Sequence, residues 1–342
     1  MSHRFLVSLG ALAIVIAIVS LAPVGVAGQA PSSAAKAPKA AAAKTKTWTP
    51  PRTPDGRPDL QGVWSFATIT PMERPSELAG KQVLTDEEAA EFEQQAFLRN
   101  NADRRDGGAA ADVSRAYNNF WFDRGTKVIG TKRTSLVVDP PEGRIPPLTP
   151  EGQKRVDALA AARQRPAHGP EDRGVGERCL MGFNSGPPMV PGGYNQNVQL
   201  LQIPGYVVIL NEMVHNARIV PLDGRPHGAV RQWVGDSRGR WEGDTLVVDT
   251  TSFYDTTAFR GSSRNLHLVE RFTRVDAGTI HYEFTVDDPT TWTRPWTAAI
   301  PMTKTQDQIY EYSCHEGNYG MLGLLEGARA EEKAAAAKKG SN

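Results

Sequence analysis

The sequence predicts a mainly β protein, an antiparallel meander forming a barrel or sandwich with two peripheral helices. Three observations carry that expectation. Between Val198 and Cys314, short runs of β-branched and aromatic residues alternate with turn signals, and no helical period separates them. The 32 glycines and 25 prolines in 342 residues favour turns over long helices. Helix start signals of the capping-box or proline-first kind stand out at Thr85 and Thr149.

From the N-terminus, Met1 to about Ala30 reads as a signal peptide. His3 and Arg4 are a short polar start, Phe5 to Val26 is almost wholly apolar, and Val26-Ala27-Gly28-Gln29-Ala30 supplies small residues for cleavage. The apolar run is long for that purpose, so an uncleaved anchor is the alternative, and a membrane partner is expected only then. Residues 31–47 are Ala, Pro, Lys, Ser and Thr and read as a flexible tether. A single β-rich domain is expected over 48–327. Its first strand follows Gly62-Val63-Trp64. Thr85, with Glu88 three residues on, starts a helix to about Asn100 whose glutamates face solvent. Residues 101–111 read as a surface loop. Tyr117 to Asp123 packs four aromatic residues into seven positions, which makes Trp121 a candidate wall for a ligand or else a packing residue. Ser135 to Asp139 is a short strand, and Thr149-Pro150 starts a second helix to about Arg163. Asn184 to Gly193 is too irregular for a regular element. The meander is then expected over Val198–Ile203, Tyr206–Leu210, Ala217–Leu222, Arg231–Val234, Thr245–Asp249, Leu266–Val275, Thr279–Asp287, Trp296–Thr303 and Ile309–Ser313, with Asp236 to Thr245 as a long hairpin turn. Ala328 to Asn342 reads as a frayed helix or disorder.

The hairpin over 266–287 permits a statement about faces. Its loop, Asp276-Ala277-Gly278, suits a type I turn with a bulge. That register sets Phe272 opposite Tyr282 and Glu270 opposite Phe284. One face then holds Leu266, Leu268, Phe272, Ile280, Tyr282, Phe284 and Val286, with Glu270 among them. A carboxylate there either pairs with an arginine, such as Arg178 or Arg218, or becomes a proton donor with a raised pKa. A one-residue slip would place it with His281 and Glu283 instead.

Lysine and arginine total 39 against 38 acids, a net charge of +1, which makes no electrostatic case for nucleic acid or an anionic membrane. Cys179 and Cys314 are the two cysteines. In a periplasmic or secreted protein they would most simply pair, stabilising the chain by about 4–5 kcal/mol; two separate buried thiols are the alternative. A bridge would clamp His315 and Glu316 beside Arg178. His315 then offers an acid or base, Glu316 a carboxylate to orient it, and Asn318 a hydrogen-bonding partner for substrate. Arg178 and Tyr194 are candidates to position an anion or hydroxyl, and Glu212 and His215 to contact substrate. No histidine spacing matches a zinc motif, and there is no P-loop, nucleophile elbow or haem-attachment motif, so no cofactor is expected; a metal ion held by Glu212 and His215, or by His315 and Glu316, is the minor alternative.

Several runs resemble a large family of exported bacterial proteins of unassigned function. They are Asp223-Gly224-Arg225-Pro226-His227, Trp233 through Trp241-Glu242-Gly243-Asp244-Thr245-Leu246-Val247-Val248, Glu270-Arg271-Phe272, Asp288-Pro289, Pro295-Trp296 and Cys314-His315-Glu316-Gly317-Asn318. The resemblance spans about residues 50–327 and implies export and a single domain, but no catalytic residues. Gly62-Val63-Trp64 before a meander is also similar to the opening of lipocalin-type barrels, which implies a calycin-like barrel plugged by Trp64. The function expected is that of a cofactor-independent enzyme (hydrolase, lyase or isomerase) acting on a small organic or glycoside-like compound. It would use His315, Glu316 and Glu270. A non-catalytic small-molecule-binding barrel and a structural envelope protein are the alternatives.

Overall fold

The computed structural model describes residues 48–114, 118–255 and 259–340. The predicted signal peptide and tether, together with Tyr117, lie outside the described residues. Ten strands make one antiparallel sheet: β1 (Gly62–Ser65), β2 (Val137–Asp139), β3 (Asn197–Ile203), β4 (Tyr206–Asn211), β5 (Ala217–Pro221), β6 (Asp236–Glu242), β7 (Thr245–Thr251), β8 (His267–Arg274), β9 (Thr279–Asp287) and β10 (Trp296–Thr305). Their order is β5-β4-β3-β1-β10-β9-β8-β7-β6, with β2 pairing β10 off that path. The N-terminal strand is thus inserted between the two halves of the meander.

Period-two burial makes the sheet one-sided. Along β8 and β9, alternate residues are buried and half-exposed. The register is the one the Asp276-Ala277-Gly278 loop predicts: Glu270 opposes Phe284 and Phe272 opposes Tyr282. The inward residues of the long strands, from Trp64 and Leu200 through Phe272 and Trp296 to Met302, form one apolar cluster. A sheet with a single core on one face must bend around it. The bend is large: edge strand β5 sends Arg218 to Glu270 on β8, 2.6 Å away. Six strand spacings separate β5 from β8, roughly 29 Å if the sheet were flat. The hydrogen-bonded ladder remains open between β5 and β6, so the sheet is curled without being a closed barrel, and among the described residues no second sheet makes it a sandwich.

Trp64 is fully buried; its Nε1–H donates to the Leu60 carbonyl at 2.9 Å, and the Arg274 guanidinium lies 5.6 Å from its ring centre. Four α-helices are described rather than two. α1 (Asp86–Asn100) carries the predicted capping box, and α3 (Pro150–Arg163) is capped by Thr149. Within the predicted 101–111 loop a short α2 (Gly108–Ser114) begins. α4 (Tyr319–Gly340) starts nine residues before the composition change at Ala328 and is tied down by Arg329, which donates to the Ala167 and His168 carbonyls.

Three strand assignments need correction. Asp236 to Glu242, predicted as turn, is strand β6, and the turn is only Gly243-Asp244. Its polar residues have partners in place: Ser237 bonds Thr250 at 2.9 Å, and Asp236 accepts Gly228 N–H at 2.7 Å. Arg231 to Val234 makes only one bridge, Gln232 to Phe253, and packs by the Trp233–Tyr254 ring contact. Ile309 to Ser313 is not a strand either: Tyr310 N–H goes to the Glu212 carboxylate, the Tyr312 ring stacks on Tyr194, and the next residue, Cys314, is tied to Cys179.

Candidate functional site

Glu270 and the His315-Glu316 pair occupy different environments. Glu270 is 0% exposed. Arg218 Nη1 and Nη2 donate to its two oxygens at 2.6 and 2.9 Å, and Tyr282 Oη–H donates to Oε1 at 2.8 Å. The Tyr282 oxygen in turn accepts Met189 N–H at 3.1 Å, so the irregular 184–193 loop plugs into this network. Burial opposes the charge on Arg218, and the Glu270 carboxylate outweighs it and raises the pKa; burial, then Glu270, pushes the Tyr282 hydroxyl far up. The carboxylate is satisfied by a bidentate arginine, the first of the two fates open to it from sequence. His315 and Glu316 are exposed. The three residues therefore do not meet in one acid–base centre.

What the chain does assemble lies where the segment after β10 crosses back over the irregular loop. Cys179 and Cys314 form a disulfide. Around it, Tyr310 N–H donates to Glu212 Oε1 at 3.2 Å, and Asn197 Nδ2 donates to Glu212 Oε2 at 3.1 Å. The rings of Tyr312 and Tyr194 stack, with centres 6.2 Å apart and planes at 19°. Phe183 meets Tyr194 edge-on at 5.3 Å, and Phe122 closes the group at 6.3 Å. Asn318 Nδ2 donates to the Glu177 carbonyl at 2.9 Å and also contacts Cys179 Sγ. Of the residues singled out from sequence, Tyr194, Glu212, Asn318 and the two cysteines come together here. Arg178 is half-buried and sits 5.9 Å over the Trp233 ring. His215 is exposed beside Glu212, whose carbonyl accepts its N–H at 3.2 Å. Trp121 is 56% exposed, edge-on to Phe120 rather than part of the tyrosine group.

This rim is strained and electrostatically perturbed. Cys179, Asn195, Val214 and His215 all hold positive φ, at 57°, 51°, 59° and 33°. For a β-branched residue such as Val214 that conformation is an outlier, and such outliers concentrate at sites of function. Burial raises the Glu212 pKa, and burial followed by Tyr312 pushes the Tyr194 hydroxyl up to about 12. Asn184 is 0% and Asn211 1% exposed; among the described residues Asn184 Oδ1 and both amide atoms of Asn211 have no hydrogen-bond partner. Sequence reading missed Phe183, Tyr312 and these asparagines. Adjacency to a cysteine was a usable signal for Tyr312; the asparagines carry none, because their burial depends on chain segments far away. Among the described residues no set of three or more His, Cys, Asp or Glu side chains is placed to hold a metal ion.

The disulfide fits an oxidising, extracytoplasmic compartment. Among the described residues no helix is long and apolar enough to cross a membrane. No protein-family model, no curated protein and no solved structure matches the chain.

Proposed function

We propose that this is an exported, cofactor-independent protein that binds a small organic molecule at the disulfide-clamped rim of a calycin-like curled sheet. One observation carries the reading: a disulfide ties Tyr312 and Tyr310 against Tyr194 and Glu212, beside a backbone held in four non-glycine positive-φ conformations. Strain of that kind persists where surrounding contacts over-determine it, and a fixed aromatic and polar surface is what a small ligand needs. The resemblance of the Asp223–His227 and Cys314–Asn318 runs to exported bacterial proteins, and the apolar N-terminal segment, support export.

The test is a thermal-shift screen of the purified protein against small periplasmic metabolites, with hits followed by calorimetry. A saturable ligand whose affinity falls about tenfold or more in Tyr194→Ala and Glu212→Gln supports the reading. A ligand indifferent to both substitutions removes the rim from consideration.

General acid chemistry at the same place has one observation in its favour. Glu212 is 3% exposed and burial raises its pKa, the direction a general acid needs, against the lowering effect of the hydrogen bonds from Tyr310 and Asn197. In that case Glu212, not Glu270, is the donor. Turnover abolished by Glu212→Gln and unaltered by Glu270→Gln would select this second reading.

A further inference from the structure

Beyond the rim lies a cavity of about 260 Å³ between the segment after β1, the C-terminal end of α1 and the 190–192 loop. Three arginines line it: Arg99, Arg124 and Arg260. Their surroundings are unusual for a protein surface, where arginines ordinarily find carboxylates. No acidic side chain lines the cavity, and among the described residues none of the three forms an ion pair. Arg124 spends one donor on the Asn100 carbonyl at 3.3 Å and lies 3.6 Å above the Phe122 ring. Glu73 is the acid whose field reaches Arg260, and its Oε1 is already engaged by Ile145 N–H at 3.0 Å. Burial lowers the pKa of Arg124, and it lowers that of Arg260 by more than the field of Glu73 raises it. Thr70 adds a hydroxyl that accepts Ile129 N–H at 2.9 Å and lies 3.4 Å from the Thr68 hydroxyl. The remaining wall is apolar, with Ile69, Met72, Leu136 and Val190.

We propose that this cavity binds a small organic polycarboxylate, its carboxylates on the three guanidinium groups and its carbon skeleton against the apolar wall. Arginine forks match carboxylate geometry in pairs, and three cations around one space demand more than one negative charge. The apolar wall selects against inorganic anions, which would leave it uncovered. The cavity is small, which limits the ligand to the size of succinate, phthalate or citrate. None of the three arginines belongs to the rim, so polycarboxylate binding in this cavity does not depend on a ligand at the rim.

The experiment is calorimetric titration of the full chain with succinate, phthalate and citrate at constant ionic strength, with inorganic sulfate and neutral phthalamide as controls. Saturable binding of at least one polycarboxylate is expected, weaker with added salt. Arg99→Gln and Arg260→Gln should each weaken it about tenfold or more, with the circular dichroism spectrum unchanged. Arg294→Gln, a surface change whose partner is Asp139, should leave it unaltered. Sulfate binding as tightly as the best polycarboxylate would overturn the ligand class. Saturation by none of the three, or binding untouched by both cavity substitutions, would overturn the site.

Discussion

Position 270 puts a carboxylate among Leu268, Phe272 and Phe284, and the cost of that placement is met by Arg218 from the opposite edge of the sheet. Removing one partner of a buried ion pair strands the other. Glu270→Gln should therefore cost about 3–5 kcal/mol of stability, read as a lower denaturation midpoint in urea. A loss below about 1 kcal/mol would mean that Arg218 finds another acceptor. On the outer face a second carboxylate, Asp249, accepts His227 Nε2–H at 2.8 Å and His267 Nε2–H at 2.9 Å. The hydrogen bond from His267 holds Asp249 below the usual carboxylate range, and Asp249 in turn raises the His267 pKa. A histidine whose pKa rises on folding contributes stability fully below its unfolded value, and that contribution is lost as pH rises through the folded value. A depressed aspartate does the reverse, its contribution disappearing as pH falls below the ordinary carboxylate value. The two together should be worth most in the mildly acidic range. The stability gap between the protein and His267→Gln should shrink towards alkaline pH in parallel unfolding curves; a gap growing with pH would contradict the assignment. The hairpin loop made the inward place of Glu270 legible in sequence. Its choice of Arg218 over Arg178 was not, because those two arginines differ only in where the rest of the chain carries them.

At the scale of elements, local chemistry was read well where the element is local. The Thr85–Glu88 capping box and Thr149-Pro150 start helices because their bonds close within four residues. The segment after β10 is the opposite case. Ile309 to Ser313 has strand-like residues, yet it finds no edge to pair with and is held by a disulfide, a glutamate and a tyrosine stack. Replacing both cysteines by serine opens a loop with a sequence separation of 135 and should cost at most about 4–5 kcal/mol. Hydrogen exchange should then rise first at Tyr310, Tyr312 and Asn318, with the β8–β9 hairpin still protected. Uniform loss of protection would mean that the bridge supports the whole sheet rather than the rim.

For the whole molecule, the decisive event is the bending of a ten-stranded sheet until its edge strands β5 and β6 lie together. Gly239 marks that contact. A Cβ there would come within 2.5 Å of Leu222 Cδ2 and 2.9 Å of Val220 Cγ1, so β6 can approach the end of β5 only without a side chain. Gly239→Ala should destabilise the protein by about 1–3 kcal/mol by forcing the edges apart, whereas Gly243→Asn, in an open positive-φ turn, should cost little. Equal thermal stability of the two variants would argue against edge-to-edge packing. The glycine-rich run that contains Gly239 looked like a loop because the residues that require the glycine are about twenty positions away. By itself the sequence determined the alternation of each strand's two faces, the helix caps, the β8–β9 register and the presence of two cysteines able to pair. Those depend on dihedral preferences and on neighbours a few residues apart. Tertiary structure alone decided the rest: an open but curled sheet, an ion pair joining strands six places apart, a clamped aromatic rim and a cavity lined by three arginines. Each of these depends on side chains from distant segments arriving at one place, and no short-range pattern encodes that arrival.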